Sequence, residues 1–258
     1  MPSRWSLVTG TTVFGLDAGG LLLGAAAALA AGFARGYSGF GMSAILMAIL
    51  TLDLAPSEVV PIAVLLEIAA SLMQIPGIFR VLDFRLLGFL LSGVVIGAPI
   101  GVQALATVPP EIMRAALLVL ILLASLALLR GIRWRVAAGP GVILGAGFFS
   151  GIVNGATGVG GLPIVLFLTL SQTRPAPLRA TLIAYLLALD IYTIGLLAHG
   201  GLIDAPALGR SGLALPLMAV ALWLGGRQFL ATTPEAFRRY TLLLLISLSL
   251  AGLARAIF

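Results

Sequence analysis

Two glycine clusters, Gly36-Tyr-Ser-Gly-Phe-Gly41 and Gly155-Ala-Thr-Gly-Val-Gly-Gly161, are where this chain offers its backbone to chemistry. Glycine tolerates positive φ and lets a ligand approach the main chain closely. Each cluster precedes a short apolar run, and the first amides of a helix have no intrahelical partner and carry partial positive charge. Free amides of that kind bind anions. Ser38, Gly39 and Gly41 in the first cluster, with Asn154, Thr157, Gly158, Gly160 and Gly161 around the second, are therefore the expected ligands of a small oxyanion. Arg35 stands beside the first cluster and adds a full positive charge. Glu67 and Asp190 interrupt two long apolar runs at similar depth. A carboxylate buried there finds a partner or becomes neutral, which suits it to carrying a proton. The competing readings are structural. Spacings such as Gly93-xxx-Gly97-xxx-Gly101 and Gly147-xxx-Gly151-xxx-Gly155 let helices touch, and buried polar groups also serve as interhelical glue.

These residues sit in a chain built for lipid. Of its 258 residues 60% are hydrophobic and 9% charged, with a mean hydropathy of +1.17. A soluble domain carries about 25% charged residues, so a soluble enzyme, a nucleic-acid-binding domain and a disordered segment are all excluded. The net charge of +6 comes from scattered Arg with no Lys, which fits loops rather than a nucleic-acid patch. With no Cys and the single His199, neither a thiol nucleophile nor a His-based metal site is expected. No HExxH or Ser–His pattern points to an intramembrane enzyme. No catalytic residue, metal or cofactor is assigned. The expected partners are a small anion and membrane lipids, with a homo-oligomer left open.

Positioning the site takes ten apolar segments, near 17–35, 40–52, 58–79, 85–107, 111–130, 137–153, 160–171, 178–199, 207–230 and 236–257. A spanning helix needs roughly twenty residues; the second and seventh segments are shorter, and each follows a glycine cluster. Gly101-Val-Gln-Ala-Leu-Ala-Thr-Val-Pro109 recurs as Gly226-Arg-Gln-Phe-Leu-Ala-Thr-Thr-Pro234. Leu82-Asp83 pairs with Ile203-Asp204, Ala55-Pro56 with Ala176-Pro177, and Gly32-Phe33 with Gly147-Phe148. Their common order predicts two repeats, 1–133 and 134–258, of five segments each. Five is odd, so the second repeat is inverted. Alternating loops place eleven Arg on one face and four on the other. The richer face is cytoplasmic by the positive-inside rule, and both termini are then periplasmic. That count treats Arg35 as a loop charge at the tip between the first two segments. The same alternation permits those segments, and the sixth with the seventh, to be re-entrant hairpins. The expected class is an all-α polytopic membrane protein, two inverted five-segment repeats with short, broken or re-entrant helices.

Gly147-Phe-Phe-Ser-Gly-Ile-Val-Asn-Gly-Ala-Thr-Gly-Val-Gly-Gly-Leu-Pro163, followed by Arg179-Ala-Thr-Leu-Ile-Ala-Tyr185, resembles the second-half signature of the TauE/SafE sulfite exporter family. The duplicated layout extends the likeness over most of the chain. Ser38-Gly-Phe-Gly-Met-Ser43 departs from it, with fewer glycines than the family carries there. The resemblance implies a bacterial inner-membrane carrier for sulfite, sulfoacetate or another sulfur-containing anion, working by alternating access. On that reading Arg35 holds a sulfonate bidentately and Asp190 or Glu67 couples a proton. An anion channel, a non-transporting membrane enzyme and a scaffold subunit are the rival classes.

Overall fold

The computed structural model describes residues 12–76, 82–130, 139–170, 175–229 and 234–257. The described residues form α1 Ala18–Ser38, α2 Met42–Leu50, α3 Pro56–Gln74, α4 Phe84–Thr107, α5 Pro110–Leu129, α6 Pro140–Thr157, α7 Gly161–Leu170, α8 Pro175–His199, α9 Ala205–Phe229 and α10 Pro234–Ile257. Starts and stops follow local chemistry. Pro56, Pro110 and Pro140 open α3, α5 and α6, where a missing N–H costs nothing. Asp83 and Asp204, matched in the sequence, do the same work. Each carboxylate accepts from the amide three residues on, Leu86 at 3.0 Å and Ala207 at 2.7 Å. Gly39 and Gly158 end α1 and α6 in left-handed conformation, at φ 80° and 67°.

Among the described residues, seven helices, α1, α3, α4, α5, α6, α8 and α9, are long and apolar enough to cross a bilayer. The nine residues of α2 rise only about 13 Å; it is buried along almost its whole length, as is α7. Large side chains such as Leu22, Ile96, Ile112, Leu123 and Val220 face outward, which in water would be a fault and in lipid is a solvent match.

Without a hydrophobic force between helices in lipid, close backbone contact is what holds them. The most extensive contacts are α4 with α6, then α1 with α9. Gly93, Gly97 and Gly101 lie against Gly147, Gly151 and Gly155. A Cβ on Gly97 would run into the Phe148 carbonyl, and one on Gly155 into that of Ala98. The second interface repeats the device, with Gly36 against the Leu222 carbonyl and Gly225 against that of Phe33. Exchanging α1–α5 for α6–α10 turns each of these pairs into the other. Gly36, not Gly32, packs as Gly155 does, so the sequence pairing of Gly32 with Gly147 is one helical turn out of step. Between these two pairs lie α3 and α8, the most buried of the long helices, in contact with each other.

Contacts between distant segments agree with the alternating loop sides. Arg210 donates to Glu58 at 2.7 Å and to the Phe14 carbonyl at 3.0 Å, and Arg114 donates to the Leu54 carbonyl. The alternation places all of these on one face. Glu58 is 41% exposed, so the ion pair is a weak one. Glu58→Ala is expected to lower stability by about 0–1 kcal/mol and to leave transport unaltered, as thermal melting and flux would read. Arg35 does not belong in the loop count. It is fully buried within α1, leaving ten Arg against four.

Candidate functional site

The two interrupted helices bring their ends to the central pair. The α1–α2 break lies against α8: the position of a Gly39 Cβ is 3.2 Å from Arg179 Cγ. The α6–α7 break lies against α3, with a Gly158 Cβ 3.7 Å from Ala63. Each break thus meets the first half of a buried helix from the other half of the chain.

Arg35 occupies the last turn of α1, where a cation also complements the helix dipole. Its Nη1 donates to the Gly39 carbonyl at 2.8 Å, and its Nη2 to Ser71 Oγ at 2.9 Å. Glu67 stands one turn before Ser71 on α3, with Oε2 3.5 Å from Arg35 Nη1. Glu67 Oε1 accepts from the Ser43 amide at 3.2 Å and the Ser43 hydroxyl at 3.1 Å. That amide belongs to the first turn of α2, behind the left-handed N-cap Gly41. The helix start that the sequence offers to an anion carries a carboxylate of the protein itself.

Around the second break an amide stands where the first has a guanidinium. Asn154 holds the position of Arg35, four residues before the left-handed glycine. Its Nδ2 donates to Asp190 Oδ1 at 2.9 Å and to Thr193 Oγ1 at 3.1 Å, while its Oδ1 accepts from the Gly160 amide at 3.1 Å. Ser150 donates to the Gly160 carbonyl at 2.6 Å, and the Tyr185 hydroxyl donates to Ser150 at 2.7 Å. Asp190 feels the charges of Glu67 and Arg35, so the two networks form one electrostatic unit across α3 and α8. Arg179 reaches the Gly36 carbonyl at 3.2 Å and feels Arg35.

Other expected members have local roles. Thr157 donates to the Val153 carbonyl at 2.7 Å within its own helix. Ser38 bonds the Ala34 and Phe40 carbonyls, closing the turn. Gly160 leaves no room for a side chain, since a Cβ would lie 2.6 Å from that of Asn154. Gly161 lies against Leu186. Tyr192, two residues beyond Asp190 and so on another face of α8, donates to the Val95 carbonyl of α4 at 3.2 Å. His199 is exposed at the end of α8.

Ser43, Ser71, Ser150, Thr193 and Arg179 were missed in the sequence. Ser71 and Thr193 carried a legible signal, a hydroxyl one turn beyond each buried carboxylate on the same helix face. Arg179 was hidden by its count as a loop charge. Chemically, the arrangement offers a dry guanidinium, two carboxylates and several hydroxyls, held by two helix breaks. It can exchange one anion for another and hold a proton.

The sequence profile described as "Sulfite exporter TauE/SafE" matches residues 24–252. A protein of Cupriavidus necator named "Probable sulfite/organosulfonate exporter TauE" is 27% identical over 246 residues, covering 92% of this chain and 95% of that one. No solved structure matches the chain.

Proposed function

Since this chain belongs to the TauE/SafE sulfite exporter family, we propose that it carries a small sulfur oxyanion or organosulfonate across the bacterial inner membrane. The halves 1–133 and 134–258 act as inverted repeats that rock about the α3–α8 centre, with both termini periplasmic. Arg35 is the anion ligand. The observation that carries this reading is its complete burial beside two carboxylates. A charge at the centre of a spanning helix costs about 2.5–3.5 kcal/mol on insertion scales, and a guanidinium offers paired donors to an oxyanion. The first-turn amides of α2 and the hydroxyls of Ser43 and Ser71 supply further donors. Asp190 and Glu67 carry the coupled proton.

Flux into proteoliposomes tests the reading with sulfite, sulfate, thiosulfate, sulfoacetate, taurine and a plain carboxylate. Saturation and counterflow with a sulfur anion are expected; preference for the carboxylate would overturn the substrate class, and unsaturable conductance the carrier. Asp190→Asn should cut accumulation driven by a pH gradient by about tenfold or more while counterflow survives, because the coupled proton is shared between Asp190 and Glu67 and needs both. Accumulation at the wild-type level would remove Asp190 from the coupling.

A further inference from the structure

The donors that meet at Glu67 are not all satisfied by its carboxylate. Arg35 contributes a guanidinium with no exposure, Ser43 an amide and a hydroxyl, and Ser71 a hydroxyl that steadies the guanidinium. The fit is loose. Nη1 and Oε2 are 3.5 Å apart, against about 2.7–2.9 Å for a charge-assisted bond. Arg35 Nε and Glu67 Oε2 are both buried with no hydrogen-bond partner among the described residues. Buried polar atoms normally find partners. An anion with three oxygens can span the unused Nε, Nη1 and the Ser43 donors together, which a two-oxygen carboxylate on an α3 tether does not do.

We propose that Glu67 is a tethered stand-in for the transported anion. It occupies the oxyanion seat of Arg35, Ser43 and Ser71 between substrates, and leaves as the neutral acid when an external oxyanion enters. This rests on the transport reading above. The charges balance: the entering anion takes the guanidinium, and a proton from the water on the open side neutralises the displaced carboxylate. The surroundings require that proton. The charged groups facing Glu67 are Arg35 from α1 and Asp190 from α8. α2 presents only the uncharged Ser43, and Arg210 of α9 is engaged with Glu58. Once Arg35 is taken, Glu67, 2% exposed, is left beside the bound anion without a counter-ion.

Calorimetric titration of the purified full chain with methanesulfonate and sulfoacetate, in buffers of different ionisation heat from about pH 6 to 8, tests this. Neither sulfonate titrates in that range, so proton uptake reports the protein. Wild type should take up a single proton per anion, with affinity rising about tenfold for each unit fall in pH. Glu67→Gln should bind at least about tenfold tighter at the upper end of that range, with no proton uptake and a flat pH profile. Sulfonate binding to wild type without proton uptake, or a wild-type pH slope in Glu67→Gln, overturns the stand-in and leaves the carrier reading intact. Where Glu67→Gln does not fold, the wild-type proton count decides alone. Failure of wild type to bind any sulfur anion overturns the carrier reading and the stand-in with it.

Discussion

Arg35→Gln is expected to abolish saturable anion flux and to destabilise the protein, with two separable causes. The flux falls because the seat loses its only full positive charge. A hydrogen bond to a charged group contributes about 1.5–3 kcal/mol, so losing a two-pronged contact weakens binding by about a hundredfold or more. Stability falls because Glu67, 2% exposed, loses its counter-ion. Breaking one side of a buried pair costs about 3–5 kcal/mol. The double variant Arg35→Gln/Glu67→Gln separates the effects, since removing both charges leaves nothing unpaired. Its melting temperature should return close to wild type, while flux stays absent. Thermal melting in detergent and radiolabelled sulfite flux read the two quantities. Flux retained in either variant would take Arg35 out of the transport path and leave it a structural counter-ion.

Gly155→Leu should prevent recovery of monodisperse protein, whereas Gly145→Leu on the same helix should melt within about 2 °C of wild type. Gly145 has nothing within 4 Å of its missing Cβ; at Gly155 a side chain meets the Ala98 carbonyl, and the Val102 nitrogen lies 2.7 Å away. These obstacles are backbone, so no rotamer change relieves them. Overpacking ordinarily costs about 1–3 kcal/mol, and separating α6 from α4 also loses the contacts that bind them. The consequence reaches the site, because α6 carries Ser150 and Asn154. Size-exclusion profiles and melting curves of the two variants make the comparison, with Gly155→Ala as an intermediate expected to melt several degrees lower. A Gly155→Leu protein as stable as Gly145→Leu would show that the interface tolerates separation.

Reading the chain one segment at a time went furthest where the physics is local. All ten segments became helices, and both short ones stand behind glycines in left-handed conformation. The prolines and aspartates that open helices act through neighbours three or four residues away, so their meaning is visible in any short window. The small-residue ladders were legible as packing faces for the same reason, since a four-residue spacing is one helix face. Their exact pairing was not. Sliding an Ala/Gly-rich helix by one turn preserves the pattern, which is why Gly32 was aligned with Gly147 rather than with Gly151. Arg35 defeated local reading in another way. A charge between two apolar runs looks like a loop residue, and only the extension of α1 to Ser38 carries it into the interior.

The sequence by itself determined the solvent, the number of the helices, and the kinds of groups available for an anion and a proton. Hydrocarbon imposes those choices on every stretch of chain separately, because each backbone amide must be satisfied within its own helix. Tertiary structure alone decided the partners: Arg35 with Glu67 and Ser71, Glu67 with the start of α2, and Asn154 with Asp190. Those choices depend on how each helix is rotated and how closely two backbones approach. Rotation and approach are set by glycines on α4, α6, α1 and α9 that meet the backbone of helices from the other half of the chain.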